Sequence, residues 1–101
     1  MGKLKMTVYI SGKVSGDRNF REKFATAEKA LKGKHPVLKI KTVNPVKGEK
    51  EGKSWEYYLK KDIKKLLKCN AIYLLPDWRE SKGALFEKEI AEKLGYTVIY
   101  A

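Results

Sequence analysis

The run Ala71-Ile72-Tyr73-Leu74-Leu75, closed by Pro76 and followed after a short loop by Ser81-Lys82-Gly83-Ala84-Leu85-Phe86-Glu87, decides how this chain folds. A short, unbroken apolar run that stops at proline reads as a strand buried on both faces. The residues beyond the loop read as a helix from about Gly83 to Leu94, with Gly95 supplying the stop. Upstream, Ser54 caps a helix predicted to reach about Lys68, and Tyr96-Thr97-Val98-Ile99-Tyr100 reads as a last strand.

Toward the N-terminus the same alternation repeats. Met6-Thr7-Val8-Tyr9-Ile10 is a β-branched and aromatic run ending at Ser11-Gly12. The loop from Ser11 to Asp17 reads either as a plain turn or as a glycine-bearing loop that lets backbone approach an anion. Phe20, Phe24, Ala27 and Leu31 recur at helical spacing between Asn19 and Lys32, with Asp17 or Asn19 as the cap and Gly33 as the stop. Val37 to Val43 reads as an edge strand ending at Asn44-Pro45. His35, in the loop before it, has no companion ligand and is read as an ordinary loop residue. Val46 to Lys53, rich in lysine, glutamate and glycine, reads as a mobile loop, either a lid or a solvated connector.

The resulting βαβαβαβ order predicts one domain over residues 1–101. Its class is α/β, three-layer, with a flavodoxin-like four-stranded parallel sheet in the order 2-1-3-4 and three helices. That order sets the carboxyl ends of the first and third strands side by side. Ligands of such sheets bind at this switch point, so the Ser11 and Pro76 loops are expected to be neighbours around a site.

Composition narrows the partners. Hydrophobic residues make up 43% and charged residues 35% of the chain, as in a globular domain. No stretch is long and apolar enough to span a bilayer, and no signal peptide is expected. The single cysteine, Cys69, excludes an internal disulfide and fits the cytoplasm. A net charge of +11 favours phosphorylated ligands or nucleic acid. Arginine, the better reader of phosphate and base edges, occurs only at Arg18, Arg21 and Arg79, which counts against nucleic acid.

Two carboxylates stand out. On the second helix Trp55, Leu59, Ile63 and Leu66 share an arc with Asp62, opposite a lysine face. On the third, Ala84, Phe86, Ile90, Ala91 and Leu94 share one with Glu87, while Leu85 falls outside it. An acid on a core-facing stripe must be paired, hydrogen-bonded or used. Two of them are the equipment for cleaving an acetal-like bond, one attacking the sugar carbon while the other manages the leaving group's proton. Structural ion pairing is the competing reading for each. Trp78 reads as a base-stacking or subunit-contact residue, and Asp77 as a weaker substitute for Asp62.

Tyr9-Ile10-Ser11-Gly12, Asn44-Pro45, Asp62 ahead of Cys69-Asn70-Ala71-Ile72, and Ser81-x-Gly83-x-x-x-Glu87 together resemble the nucleoside 2-deoxyribosyltransferase superfamily, in particular its short DUF4406-type members. The resemblance implies N-glycosidic chemistry on a nucleoside or nucleoside 5′-monophosphate, without a metal or other cofactor. It implies Glu87 as nucleophile, Asp62 at the leaving base and Tyr9 holding the nucleophile. Ser11, Gly12, Asn44, Trp78, Ser81 and Gly83 are then expected to bind substrate, and the chain to form a homo-oligomer. A non-catalytic nucleotide-binding module with the same pocket is the alternative, and a basic nucleic-acid-associated protein ranks third.

Overall fold

A computed structural model describes residues 4–33 and 38–101, so the expectations for His35 and Val37 lie outside the described residues. Four strands, β1 (Leu4–Ser11), β2 (Leu38–Val43), β3 (Ala71–Leu74) and β4 (Thr97–Tyr100), form an all-parallel sheet in the order β2-β1-β3-β4. The helices α1 (Phe20–Leu31), α2 (Trp55–Leu66) and α3 (Lys82–Lys93) connect them. A 3-10 turn at Trp78–Glu80, not expected from the sequence, leads into α3.

Strand periodicity sorts the core into two layers. Val8 and Ile10 of β1 join Phe24, Ala27 and Leu31 of α1 on one face. Tyr9, Ile72 and Leu74 point the other way and join Leu66 of α2 and Ala91 of α3. The odd positions of β1 therefore face α2 and α3. Tyr9 and Ser11 are consequently placed on the side from which Glu87 approaches.

Helix ends follow side-chain chemistry. Ser54 Oγ accepts from Tyr57 N at 3.1 Å, and Ser81 Oγ does the same for Ala84 N. Gly95, at φ +76°, closes α3 in the left-handed region open to glycine. Two local readings need correction. Asn19 sits at the α1 cap position but makes no side-chain cap; Asp17 Oδ1 instead accepts from Asn19 N at 2.9 Å. Helix α1 ends just ahead of Gly33, at the Lys32 cap, but Gly33 lacks the positive φ of a left-handed stop.

The inward face of α3 is also narrower than its apolar residues suggest. Ala84, Glu87 and Ala91 are buried, whereas Phe86 is 46% and Leu94 52% exposed, as is Leu85 at 45%. The two alanines let the helix lie close to the sheet, which leaves its large apolar side chains on the flank. On α2, Trp55 stands at the rim of a cleft and not in the core, with Lys82 Nζ 4.8 Å above its ring.

Candidate active site

Pairing of Ser11 with Leu74 brings the carboxyl ends of β1 and β3 together, and Leu75 N continues the ladder to Ser11 O at 2.9 Å. The two loops leaving these strands are bonded to each other. Lys13 N donates to Asp77 Oδ1 at 3.0 Å, and Lys23 of α1 donates to Asp77, to Asp17 and to the Lys13 carbonyl. Asp77 thus clamps the two loops and is not among the residues lining the cleft beside them. Gly12 is glycine because Leu75 leaves no room, since a β-carbon there would lie 2.6 Å from Leu75 Cδ1.

A cleft of about 700 Å³ opens beside this junction, inside the ~300–1,000 Å³ range of small-molecule sites. Glu87 closes its floor. The residue is 5% exposed and its carboxylate is held at both oxygens, by Tyr9 Oη donating to Oε2 at 2.5 Å and Ser11 Oγ donating to Oε1 at 2.7 Å. Burial pushes the carboxyl up to about 7, against the two hydrogen bonds, which pull it down. Tyr9 is fully buried, and burial, then the neighbouring Glu87 charge, keeps its hydroxyl protonated, hence a donor.

Asp62 lines the same cleft from α2, and its Oδ1 is sealed from solvent without a hydrogen bond. Burial, then the charges of Glu87 and Glu49, push it up to about 8. Near neutral pH a second charge in the same cleft is disfavoured, and the two hydrogen bonds held by Glu87, which Asp62 Oδ1 lacks, favour the charge on Glu87 and the proton on Asp62. The cleft thereby holds one anchored carboxylate and one carboxylic acid, a nucleophile paired with a proton donor.

The other expected site residues divide. Gly12, Ser81 and Gly83 line the cleft. Ser11 does not face it as a ligand contact; it is buried behind Glu87 and serves as its donor. Asn44 and Trp78 are not among the lining residues. The Asn44 carboxamide accepts from Val46 N at 3.2 Å and shapes the turn after β2. Trp78 packs on the second core layer, 6.0 Å from the Tyr100 ring, with Arg79 and Lys88 over its own. Among the described residues no group of three His, Cys, Asp or Glu is placed to hold a metal ion, and no helix is long and apolar enough to cross a membrane.

Sequence reasoning left Val46 to Lys53 as a lid or a solvated connector and missed what fastens it as a wall of the cleft. The segment after Asn44 folds back over it, fastened by Arg21 to the carbonyls of Val46 (2.8 Å) and Glu49 (3.1 Å), and by Tyr58 to the carbonyl of Lys50. Arg21 and Lys23 carried no signal beyond a charged helix face, and Glu49 sits in a run of alternating lysine, glutamate and glycine.

Gly83 offers a direct check on this cleft. A β-carbon there would meet only Ser81 Oγ at 3.9 Å and Trp55 Nε1 at 4.0 Å, both ordinary contacts. Gly83→Val is therefore expected to shift Tm by no more than about 3 °C while it fills space inside the cleft. A fall in Tm of about 10 °C or more would show that the position is packed by the protein itself.

A model of the family described as "Domain of unknown function (DUF4406)" matches residues 6–100. No curated protein and no solved structure matches the chain.

Proposed function

The chain belongs to the DUF4406 family, and we propose that it cleaves the N-glycosidic bond of a (deoxy)nucleoside or nucleoside 5′-monophosphate, as its motif resemblance to the nucleoside 2-deoxyribosyltransferases suggests. The observation that carries the reading is the doubly held, buried carboxylate of Glu87 in a cleft that Asp62 also lines, with one Asp62 oxygen sealed from solvent.

In the first step a Glu87 oxygen attacks C1′ of the sugar, and the C1′–N bond breaks. The electron pair leaves with the base, which takes the proton of Asp62. In the second step water, or an acceptor base, attacks C1′ and displaces Glu87, while the Asp62 carboxylate recovers a proton from the incoming group. Tyr9 and Ser11 fix the attacking oxygens in place and lower their basicity just enough for ionisation at neutral pH. Ser81 and Gly83 open α3, whose free N–H groups and neighbouring Lys82 favour a sugar hydroxyl or a 5′-phosphate.

Incubation with a panel of nucleosides and 5′-monophosphates, read by chromatography for free base, tests the reading. Ligand-induced thermal stabilisation with no base released from any member would replace it with a nucleotide-binding module.

Tyr9→Phe refines the test. Without the phenolic donor, one of the two bonds stabilising the Glu87 carboxylate is lost, so the acidic limb of the pH–rate profile is expected to move up by about 1 unit. The rate at pH 7 then falls roughly 5-fold, with recovery toward pH 8. A uniform loss at every pH would show that Tyr9 does not tune Glu87.

A further inference from the structure

Glu49 is the one carboxylate deep in the cleft that the glycosidic reading leaves without a task. Its side chain is 7% exposed, and its Oε1 is sealed from solvent with no hydrogen bond. The Lys65 ammonium lies 3.9 Å away but donates instead to the Pro45 carbonyl at 2.9 Å. The backbone of Glu49 is fixed at both ends, its N–H donating to Val46 O and its carbonyl accepting from Arg21. The side chain is therefore placed in the wall, and does not hang from a free loop.

Among the described residues, Asp62 Oδ1 is the only other buried side-chain oxygen without a partner, and both residues line the same cleft. An acceptor buried without a donor is destabilising, and buried polar atoms almost always find partners. Two carboxyl groups lining one cleft, each with an oxygen that has no hydrogen bond in the protein and Glu49 with only a 3.9 Å ion pair to Lys65, point to donors that arrive with a ligand and turn the carboxyl groups toward it.

We propose that Glu49 selects the leaving base by accepting a hydrogen bond from an exocyclic amino group, while the Asp62 carboxyl addresses the ring nitrogen beside it. The substrates are then nucleosides or nucleotides of amino-bearing bases, of the adenine or cytosine type. This rests on the glycosidic reading of the cleft. The chemistry is a matched pair: an amino group beside an unprotonated ring nitrogen presents a donor next to an acceptor. In the oxo counterparts, hypoxanthine and uracil, a carbonyl stands beside a ring N–H, and both positions are reversed. A carboxylate facing that carbonyl sets lone pair against lone pair, and a site built for a donor rejects an analogue that lacks it. Glutamine at position 49 would lift the restriction, because its amide both donates and accepts.

The test compares 2′-deoxyadenosine with 2′-deoxyinosine 5′-monophosphate, and 2′-deoxycytidine with 2′-deoxyuridine 5′-monophosphate, on the full chain. Base release is measured as kcat/KM, and binding by calorimetry on the Glu87→Gln variant. At least one amino member is expected to be favoured by about 100-fold or more. Glu49→Gln is expected to reduce that ratio below about 10. A preference unchanged in Glu49→Gln, equal handling of both members of each pair, or no binding of any of the four overturns the proposal. Binding that follows Glu49 without any base release keeps base selection and removes the glycosidic chemistry. Release without preference does the opposite.

Discussion

Glu87→Gln is expected to lower base release by about 10⁴-fold or more while the protein stays folded. The size follows from the role: an amide oxygen is a poor nucleophile and cannot carry the negative charge that attacks C1′. Preservation of the fold follows from the hydrogen bonds. The Gln amide oxygen accepts from one hydroxyl, and its NH2 donates to the other, since both Tyr9 and Ser11 hydroxyls can reverse their sense. The substitution also removes a titration. With its pKa raised from 4.5 to about 7, Glu87 gives the folded state stability that is complete below the unfolded value and is lost as pH rises through about 7. The Tm of Glu87→Gln should accordingly vary less between pH 5 and pH 8 than that of the parent chain. Base release within about 10-fold of the parent would end the nucleophile assignment. An unfolded variant would send the question to Glu87→Asp, which keeps the charge but withdraws it by one methylene.

The sheet was legible because its evidence is redundant. Strand lengths, proline and glycine stops and the βα alternation agree on a parallel sheet, whose order 2-1-3-4 came with the flavodoxin-like class, and a one-residue slip in β1 would have turned Tyr9 and Ser11 away from Glu87. The inward placement of Glu87 was legible from its spacing with Ala84 and Ala91. The exposed Phe86 and Leu94 were not, because a wheel weighted by hydrophobicity favours large side chains, whereas this helix approaches the sheet through small ones. Asn44 was placed near the site by the motif resemblance, and Trp78 by its loop after Pro76-Asp77. Whether a loop residue turns toward a cleft or back onto the core depends on contacts from distant segments, as with Tyr100 against Trp78. Glu49 is the reverse case. Its burial depends on Arg21, twenty-eight positions earlier in the chain, reaching its carbonyl, and no local pattern announces that bond.

Asp62→Asn should raise stability at alkaline pH and abolish the alkaline limb of the activity profile, two effects that only a buried, protonated carboxyl produces together. The stability sign follows from linkage. The carboxyl is raised from 3.8 to about 8, so the folded state loses stability as pH climbs from the unfolded value through about 8. A neutral amide does not ionise, and Oδ1 has no hydrogen bond to lose. The variant should match the parent near pH 4 and exceed it at pH 8.5 by about 2 kcal/mol, a figure discounted because Asp62 is only partly buried. For a chain of this size that is a rise in Tm of about 10 °C. Activity moves the other way. Parent base release should peak between about 7 and 8, where Glu87 is ionised and Asp62 still holds its proton, and fall on both sides. Asp62→Asn removes the donor, so rates drop by about 10²–10⁴-fold and no longer decline above pH 8. The loss should be smallest for substrates whose base departs without protonation, such as a nitrophenyl glycoside. Thermal melts at pH 4 and 8.5 with no difference between variant and parent would show that Asp62 ionises freely in the cleft, leaving Glu87 without a proton donor at its side.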